Sequence, residues 1–332
     1  MKENTVLVYA PDRDIAVRLT EGVKKRMRMS CIFRTFTDRA ALEKHLSADK
    51  DCYLLMGDGS EGLPKGADPE RTVIMGEDGM VRDDSISVIS RYGGCTNAAK
   101  ALLSVMADRV NGDTVCSGGK KLHILGAYSP VKRSLQTTFC VALGEYLARG
   151  ARVLYMNFEG FSGFSGILET VAKEGPDVTD LLYYCDTAPE KLPYKLPGLV
   201  KTVGKLDMLM PPLSYLDTYD RSGEKWVEMF RGISYCGVYD YLILDLSEAV
   251  QGLIQILSAC ERIFTITGND RIAAAKLFEY EKWMKLHEHA GIMDKTIRCD
   301  LPSFGKIPED FSMLTHGELS NYIGSFVKQA AG

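Results

Sequence analysis

Apolar residues follow two rhythms along the chain: short continuous runs, and positions three or four apart. The run TVLVY at residues 5–9 has the length and β-branched character of a buried strand. Ile15, Leu19 and Val23 follow at helical spacing, and Asp12 or Asp14 stands where it can cap that helix. The pattern predicts further strands at 31–35, 53–56, 72–75 and 86–89, with helices at 39–46 and 96–109. Residues 111–120 (NGDTVCSGGK) are polar, glycine-bearing and without period, which reads as a linker. The alternation then restarts, with strands at 122–127, 152–157, 206–210, 241–245 and 263–267 and a helix at 137–148. Strands separated by helical stretches need long crossovers, so mostly parallel sheets covered on both faces are expected.

A length of 332 residues suits two domains, each able to bury its own core. The expected division is residues 1–110, a linker at 111–120, and residues 121–332. With 45% hydrophobic and 25% charged residues and a formal net charge of -4, the chain shows neither a disordered composition nor a broad basic surface. No nucleic-acid partner is expected. The opening apolar run is too short for a signal-peptide core and no other run reaches a membrane span, so no transmembrane segment is expected and a cytoplasmic chain is. The nine cysteines are scattered without metal or redox spacing, which predicts reduced, mostly buried thiols. His287 and His289 are two apart and point in different directions on a helix, which argues against a metal pair.

Candidate chemistry lies in residues 123–148, HILGAYSPVKRSLQTTFCVALGEYLA. An apolar strand, a loop, a threonine pair and an amphipathic helix follow one another, as in a phosphate-binding loop. There a strand end delivers the backbone to a helix N-terminus whose free N–H groups attract anions. This segment resembles the MinD/ParA family of P-loop ATPases, whose K-G-G-x-G-K-T-T motif stands between a similar strand and helix. Aligned from the threonines backwards, Thr137 and Thr138 match the pair, Gln136 replaces the loop lysine and Leu135 the last glycine. Arg133 and Lys132 fall on the other two glycines, and Val131 falls on the signature lysine. Glycine lets such a loop take positive φ and approach phosphate closely, and these side chains would obstruct that approach. Pro130 also removes a backbone donor just before the loop. Lys132 and Arg133 still bring positive charge to the helix start, either as a displaced phosphate contact or as a solvated pair on the turn.

The likeness continues downstream. RVLYMNFE at 152–159 is similar to the family strand ending in D-x-D, with Asn157 and Glu159 on the two acids. YDYLILDL at 239–246 resembles a Walker B strand, with Asp245 on the magnesium-associated aspartate. An amide at Asn157 cannot act as a carboxylate toward water or a magnesium shell, which argues against hydrolysis. The resemblance therefore implies ATP or ADP with magnesium as candidate ligands. The candidate nucleotide positions are Lys132, Arg133, Ser134, Leu135, Gln136, Thr137, Thr138, Asn157, Glu159 and Asp245, and Thr137 and Asp245 are the candidate magnesium positions. Asp245 at a buried strand end also has a plain structural reading as a cap.

The first segment resembles a response-regulator receiver in its order of elements. Ala10 and Pro11 stand where a receiver's acidic pair would begin, Met56 falls on the phospho-acceptor position with Asp58 two places late, and Arg91 lies near the receiver lysine. This predicts a receiver-like module without phosphotransfer. Lys24, Lys25, Arg26 and Arg28 sit near the end of the first helix, where cations complement its dipole. At the C-terminus, Leu319, Tyr322, Ile323, Phe326 and Val327 trace one helix face with only Lys328 as a nearby cation, which favours packing on the sheet over lipid.

A receiver-like (flavodoxin-like) domain joined to a MinD/ParA-like P-loop fold is the arrangement of the TadZ/CpaE proteins. The resemblance implies two doubly wound α/β domains in a cytoplasmic localisation factor or scaffold for a tight-adherence pilus or secretion apparatus, polar or membrane-associated through its partners. It implies partners from that apparatus and a homodimer. The altered loop implies a scaffold without efficient ATP hydrolysis. The alternatives are a working ATPase that uses Lys132 and Asp245, and a sensory adaptor acting through the first domain.

Overall fold

The computed structural model describes residues 4–27, 29, 31–58, 60, 62–76, 85–109, 121–132, 135–168, 175–268, 270–301, 314 and 318–330. The linker expected at 111–120 lies outside them. The chain divides into two compact units, Met1–Val115 with Glu190–Gly198, and Cys116–Pro189 with Leu199–Gly332.

In the first unit β1 (Asn4–Tyr9), β2 (Cys31–Phe36), β3 (Tyr53–Met56), β4 (Thr72–Gly76) and β5 (Ser87–Ser90) form a parallel sheet in the order β2-β1-β3-β4-β5. The inner strands β1, β3 and β4 are apolar runs because both their faces are covered, whereas the edge strands β2 and β5 are partly exposed. Val6, Val8, Tyr53, Leu55 and Val73 pack with α1 (Arg13–Met27) and α3 (Gly94–Asp108), whereas Leu7, Tyr9, Leu54, Met56 and Ile74 pack with α2 (Arg39–Ala48). That division follows from the alternation of side chains along a strand. The α1 stripe is Ala16, Leu19, Val23 and Met27; Leu19 and Val23 are buried as expected, whereas Ile15 is 53% exposed and Ala16 takes its place. Asp12 Oδ1 accepts from the Ile15 N–H at 3.0 Å and caps α1. Tyr194, from the returning segment, is buried in this core, and Lys195 Nζ donates to Ser104 Oγ at 3.2 Å.

The second unit holds a seven-stranded sheet of β6 (His123–Ala127), β7 (Val153–Phe158), β8 (Lys201–Val203), β9 (Leu206–Leu209), β10 (Tyr241–Leu246), β11 (Arg262–Ile266) and β12 (Thr296–Cys299). The order is β12-β11-β6-β10-β7-β9-β8, and all neighbours are parallel except β8 against β9. Neither β8 nor β12 is predicted by the sequence, because KTV and TIRC are short and interrupted by charge. The β8–β9 turn runs through Gly204 at φ 60°, and the buried Glu145 carboxylate accepts from the Lys205 N–H at 3.2 Å. The helix α4 (Gln136–Leu147) lies on this sheet, with Phe139, Cys140, Val141, Ala142 and Leu143 in the core. Leu319 and Ile323 of the last helix, Glu318–Ala330, are buried in the same core, and Tyr322 and Val327 pack at its margin. The Phe326 and Lys328 side chains lie outside the described residues. No described helix is long and apolar enough to cross a membrane.

Candidate functional site

The carboxyl ends of β6, β7 and β10 converge on one aspartate. Parallel pairing sets Asp245 of β10 opposite Ala127 of β6 and Asn157 of β7. The first turn of α4 closes over it from above. Asp245 is completely buried, and its Oδ1 accepts from the Gln136 amide at 2.7 Å. Its Oδ2 accepts from the Thr137 hydroxyl at 2.7 Å, the Tyr155 hydroxyl at 2.9 Å and Asn157 Nδ2 at 3.0 Å. Three donors therefore converge on Oδ2 and one on Oδ1. Burial pushes the Asp245 carboxyl above its ordinary 3.8, against the opposing pull of hydrogen bonds led by Gln136 and Thr137. Burial also raises the Tyr155 and Cys140 groups, and Asp245 adds to both.

Gln136 is the closing piece. Its Nε2 donates to the Leu246 carbonyl at 2.9 Å as well as to Asp245, and the residue is 7% exposed. Two acceptors facing one nitrogen fix the orientation of the amide. Asn157 is similarly committed: Nδ2 donates to the Tyr155 hydroxyl at 2.9 Å, and Oδ1 accepts from the Glu159 N–H at 2.9 Å. Glu159 is half-buried beyond the strand end; desolvation, then Asp245, then Glu248 raise its carboxyl above 4.5.

Two residues before α4 have a left-handed backbone without being the glycines that usually provide one. Lys132 has φ 54° and Leu135, the residue capping α4, has φ 86°. Side chains anchor the rest of the loop. Ser129 Oγ donates to the Ile266 carbonyl at 2.5 Å and accepts from the Val131 N–H at 3.2 Å. Glu248, beyond β10, accepts from the Tyr128 hydroxyl at 3.0 Å and pairs with Lys132 Nζ at 3.3 Å. The Tyr128 hydroxyl is pushed up chiefly by burial and then by Glu248.

No protein-family model matches this sequence, and no curated protein does. Solved structures similar to the chain include ATPases of the ParA and MinD type. A ParA family ATPase from Chlorobium tepidum TLS is 13% identical over 62% of this chain and 97% of its own, with a TM-score of 0.48. A plasmid partition protein from Borrelia burgdorferi is 15% identical over 63% of this chain and 100% of its own, with a TM-score of 0.43. The MinC:MinD cell division protein complex of Aquifex aeolicus is 16% identical over 53% of this chain and 67% of that one, with a TM-score of 0.40. Their remoteness leaves the chemistry to this chain's own residues.

Of the positions singled out from sequence, Gln136, Thr137, Asn157 and Asp245 meet directly. Glu159 lies at the edge of the group, and Thr138 is half-buried one position past Thr137 and is not among the donors to Asp245. Lys132 and Leu135 belong to the loop above; Arg133 and Ser134 lie outside the described residues. Tyr155, Tyr128 and Glu248 escape the sequence reading. Tyr155 had a usable signal, since it lies two residues before Asn157 and so on the same strand face. Glu248 had none.

A magnesium ion at this position would need an Asp245 lone pair, directly or through water, and would compete for it with the Gln136 amide and the Thr137 hydroxyl. No group of three or more His, Cys, Asp or Glu side chains among the described residues is placed to hold a metal. Arg91 Nη2 pairs with Asp58 at 3.0 Å beyond the strand ends of the first unit's sheet, and Met56 is fully buried in its core.

Proposed function

We propose that this protein is a contact scaffold that works without ATP hydrolysis, a positioning factor of the TadZ/CpaE kind for a tight-adherence pilus or secretion apparatus. The observation carrying the proposal is the Gln136 amide seated on Asp245, which gives the strand-end carboxylate a permanent protein donor in place of an ion. Exposed apolar side chains beyond β7 and β9 support a role in protein contacts. Phe161 is 90% exposed and Leu213 fully so, and Leu216 is 61% exposed. Such residues grouped beyond the carboxyl ends of neighbouring strands mark an interaction surface. The first unit is read as a receiver-like module serving the same purpose, with the Asp58–Arg91 pair occupying the end where a receiver would carry its phosphoryl group.

One observation favours a second reading. Lys132 and Leu135 hold the positive φ that glycines provide in a phosphate loop, which suits a phosphate held by backbone N–H groups and Lys132 without magnesium. On that reading ATP or ADP is a structural or dimerising ligand.

The two readings separate in one experiment on the full chain: calorimetric titration with ATP and with ADP, each with and without magnesium, alongside phosphate release and sedimentation velocity. The scaffold reading expects no phosphate release and no effect of magnesium. Turnover that disappears in Lys132→Ala or Asp245→Ala overturns it. Magnesium-independent binding without turnover establishes the second reading. Cross-linked capture from the source cells tests the pathway, with pilus or secretion components expected among the captured proteins.

A further inference from the structure

The helix Arg271–Leu286 is almost unpartnered along its length. It opens on Asp270, whose carboxylate accepts from the Ala273 N–H at 2.9 Å, and buries only Ala273 and Met284. Leu277, Tyr280 and Glu281 are half-buried beside them. The remaining face carries large apolar side chains in water, Ile272 67%, Phe278 67% and Leu286 70% exposed, with Trp283, 43% exposed, stacked on the His287 ring at 4.3 Å. Arg271, Lys276, Lys282 and Lys285 are exposed on the same half.

At about 100° per residue, Leu286, Ile272 and Trp283 fall within one narrow arc, with Lys276 on one side and Arg271 and Lys282 on the other. Phe278 lies on the far flank, between Lys282 and Lys285. Glu279 falls inside the arc, three residues from both Lys276 and Lys282, which offset its charge. The other acid of the helix, Glu281, is engaged by Arg298.

Exposed apolar side chains cost free energy in water, and alternating them with lysines suits an interface where apolar groups enter the acyl boundary and long cationic stems reach anionic headgroups. Four cations against one exposed acid make this helix locally basic in a chain whose net charge is -4. The attraction therefore acts only within a Debye length of about 8 Å. In the terminal helix, by contrast, Leu319 and Ile323 are already in the core. We propose that the helix Arg271–Leu286 is a peripheral binding surface for anionic lipid.

The chain supplies its own reporter. It has two tryptophans, and Trp226 is 1% exposed, so a change in emission on binding reports on Trp283. Full-length protein is titrated with vesicles of equal parts phosphatidylcholine and phosphatidylglycerol, and with phosphatidylcholine alone, following emission and co-sedimentation. A blue shift with co-sedimentation is expected on the mixed vesicles only, weakening as salt rises. Lys282→Gln with Lys285→Gln weakens binding about 30-fold, from roughly fivefold per cation at an anionic surface. Ile272→Ser with Leu286→Ser abolishes the shift while circular dichroism is unchanged, since both side chains are exposed. Absence of binding to either vesicle overturns the proposal, as does equal binding to both. A blue shift that appears with protein concentration in the absence of lipid also overturns it, and makes the helix a contact between copies of the chain.

Discussion

The Gln136 side-chain amide lies 2.7 Å from Asp245 Oδ1 and 2.9 Å from the Leu246 carbonyl, tying the first turn of α4 to the end of β10. A buried carboxylate keeps its charge only while its lone pairs are occupied. Gln136→Ala is therefore expected to lower unfolding free energy by about 2 kcal/mol, the usual scale for a lost hydrogen bond to a charged group. Urea denaturation followed by circular dichroism checks this. A loss within experimental error would mean that Asp245 is held by its other donors alone.

Tyr155 and Gln136 donate to different oxygens of the same carboxylate. Removing either donor favours protonated Asp245, for which the remaining donor is worth less. The double variant Tyr155→Phe with Gln136→Ala should thus lose less stability than the two single losses combined, with a coupling of about 0.5–2 kcal/mol. Strict additivity in a denaturation cycle would contradict the shared carboxylate.

Lys132 holds φ 54° and is 66% exposed in its side chain. Lys132→Gly and Lys132→Ala both lose the pair with Glu248, so their difference isolates backbone strain. The glycine variant is expected to be more stable by about 1 kcal/mol, because only glycine enters the left-handed region without cost. Equal thermal midpoints would argue against a left-handed residue 132.

Glu159 gives a pH signature. Its carboxyl is raised above 4.5 in the folded chain by desolvation and by Asp245 and Glu248, so the folded state binds protons more tightly than the unfolded one in the interval above 4.5. Ionised Glu159 therefore costs stability at neutral pH, and that cost is relieved as pH falls through the folded value. Glu159→Gln should raise the neutral-pH urea midpoint and flatten the gain in stability on acidification. An unchanged slope from neutral pH down to 4.5 would exclude Glu159 as its source.

Gly252 has φ 73°, and a Cβ there would stand 2.2 Å from Gly223 Cα, where the helices Gly223–Cys236 and Leu253–Ala259 begin. Gly252→Ala combines backbone strain with a clash that no rotamer relieves, and is expected to cost about 3 kcal/mol or more. Gly150→Ala, with open space around its added Cβ, is the matched control in thermal melts.

The local pattern of the sequence determined most of the strands, the helices of the first unit, α4 with its threonine pair and the acid at the end of β10, but not the helices Val178–Thr187, Gly223–Cys236 or Arg271–Leu286. These follow from period and end signals within a few residues, because a strand buried on both faces must be an apolar run and a helix must repeat its apolar positions. It also set Leu135 and Gln136 just before the threonine pair. What those side chains hold was decided only in three dimensions. Gln136 and Asp245 are 109 residues apart in sequence, and parallel pairing of β6, β10 and β7 brings Ala127, Asp245 and Asn157 level. The same holds for Glu248 against Lys132, and for Tyr194, which joins the first unit's core from far along the chain. The exposed face of Arg271–Leu286 likewise emerged only once the sheet had chosen Ala273 and Met284 to bury. Periodicity reports which residues share a face, but which face is covered depends on the partner that the fold supplies.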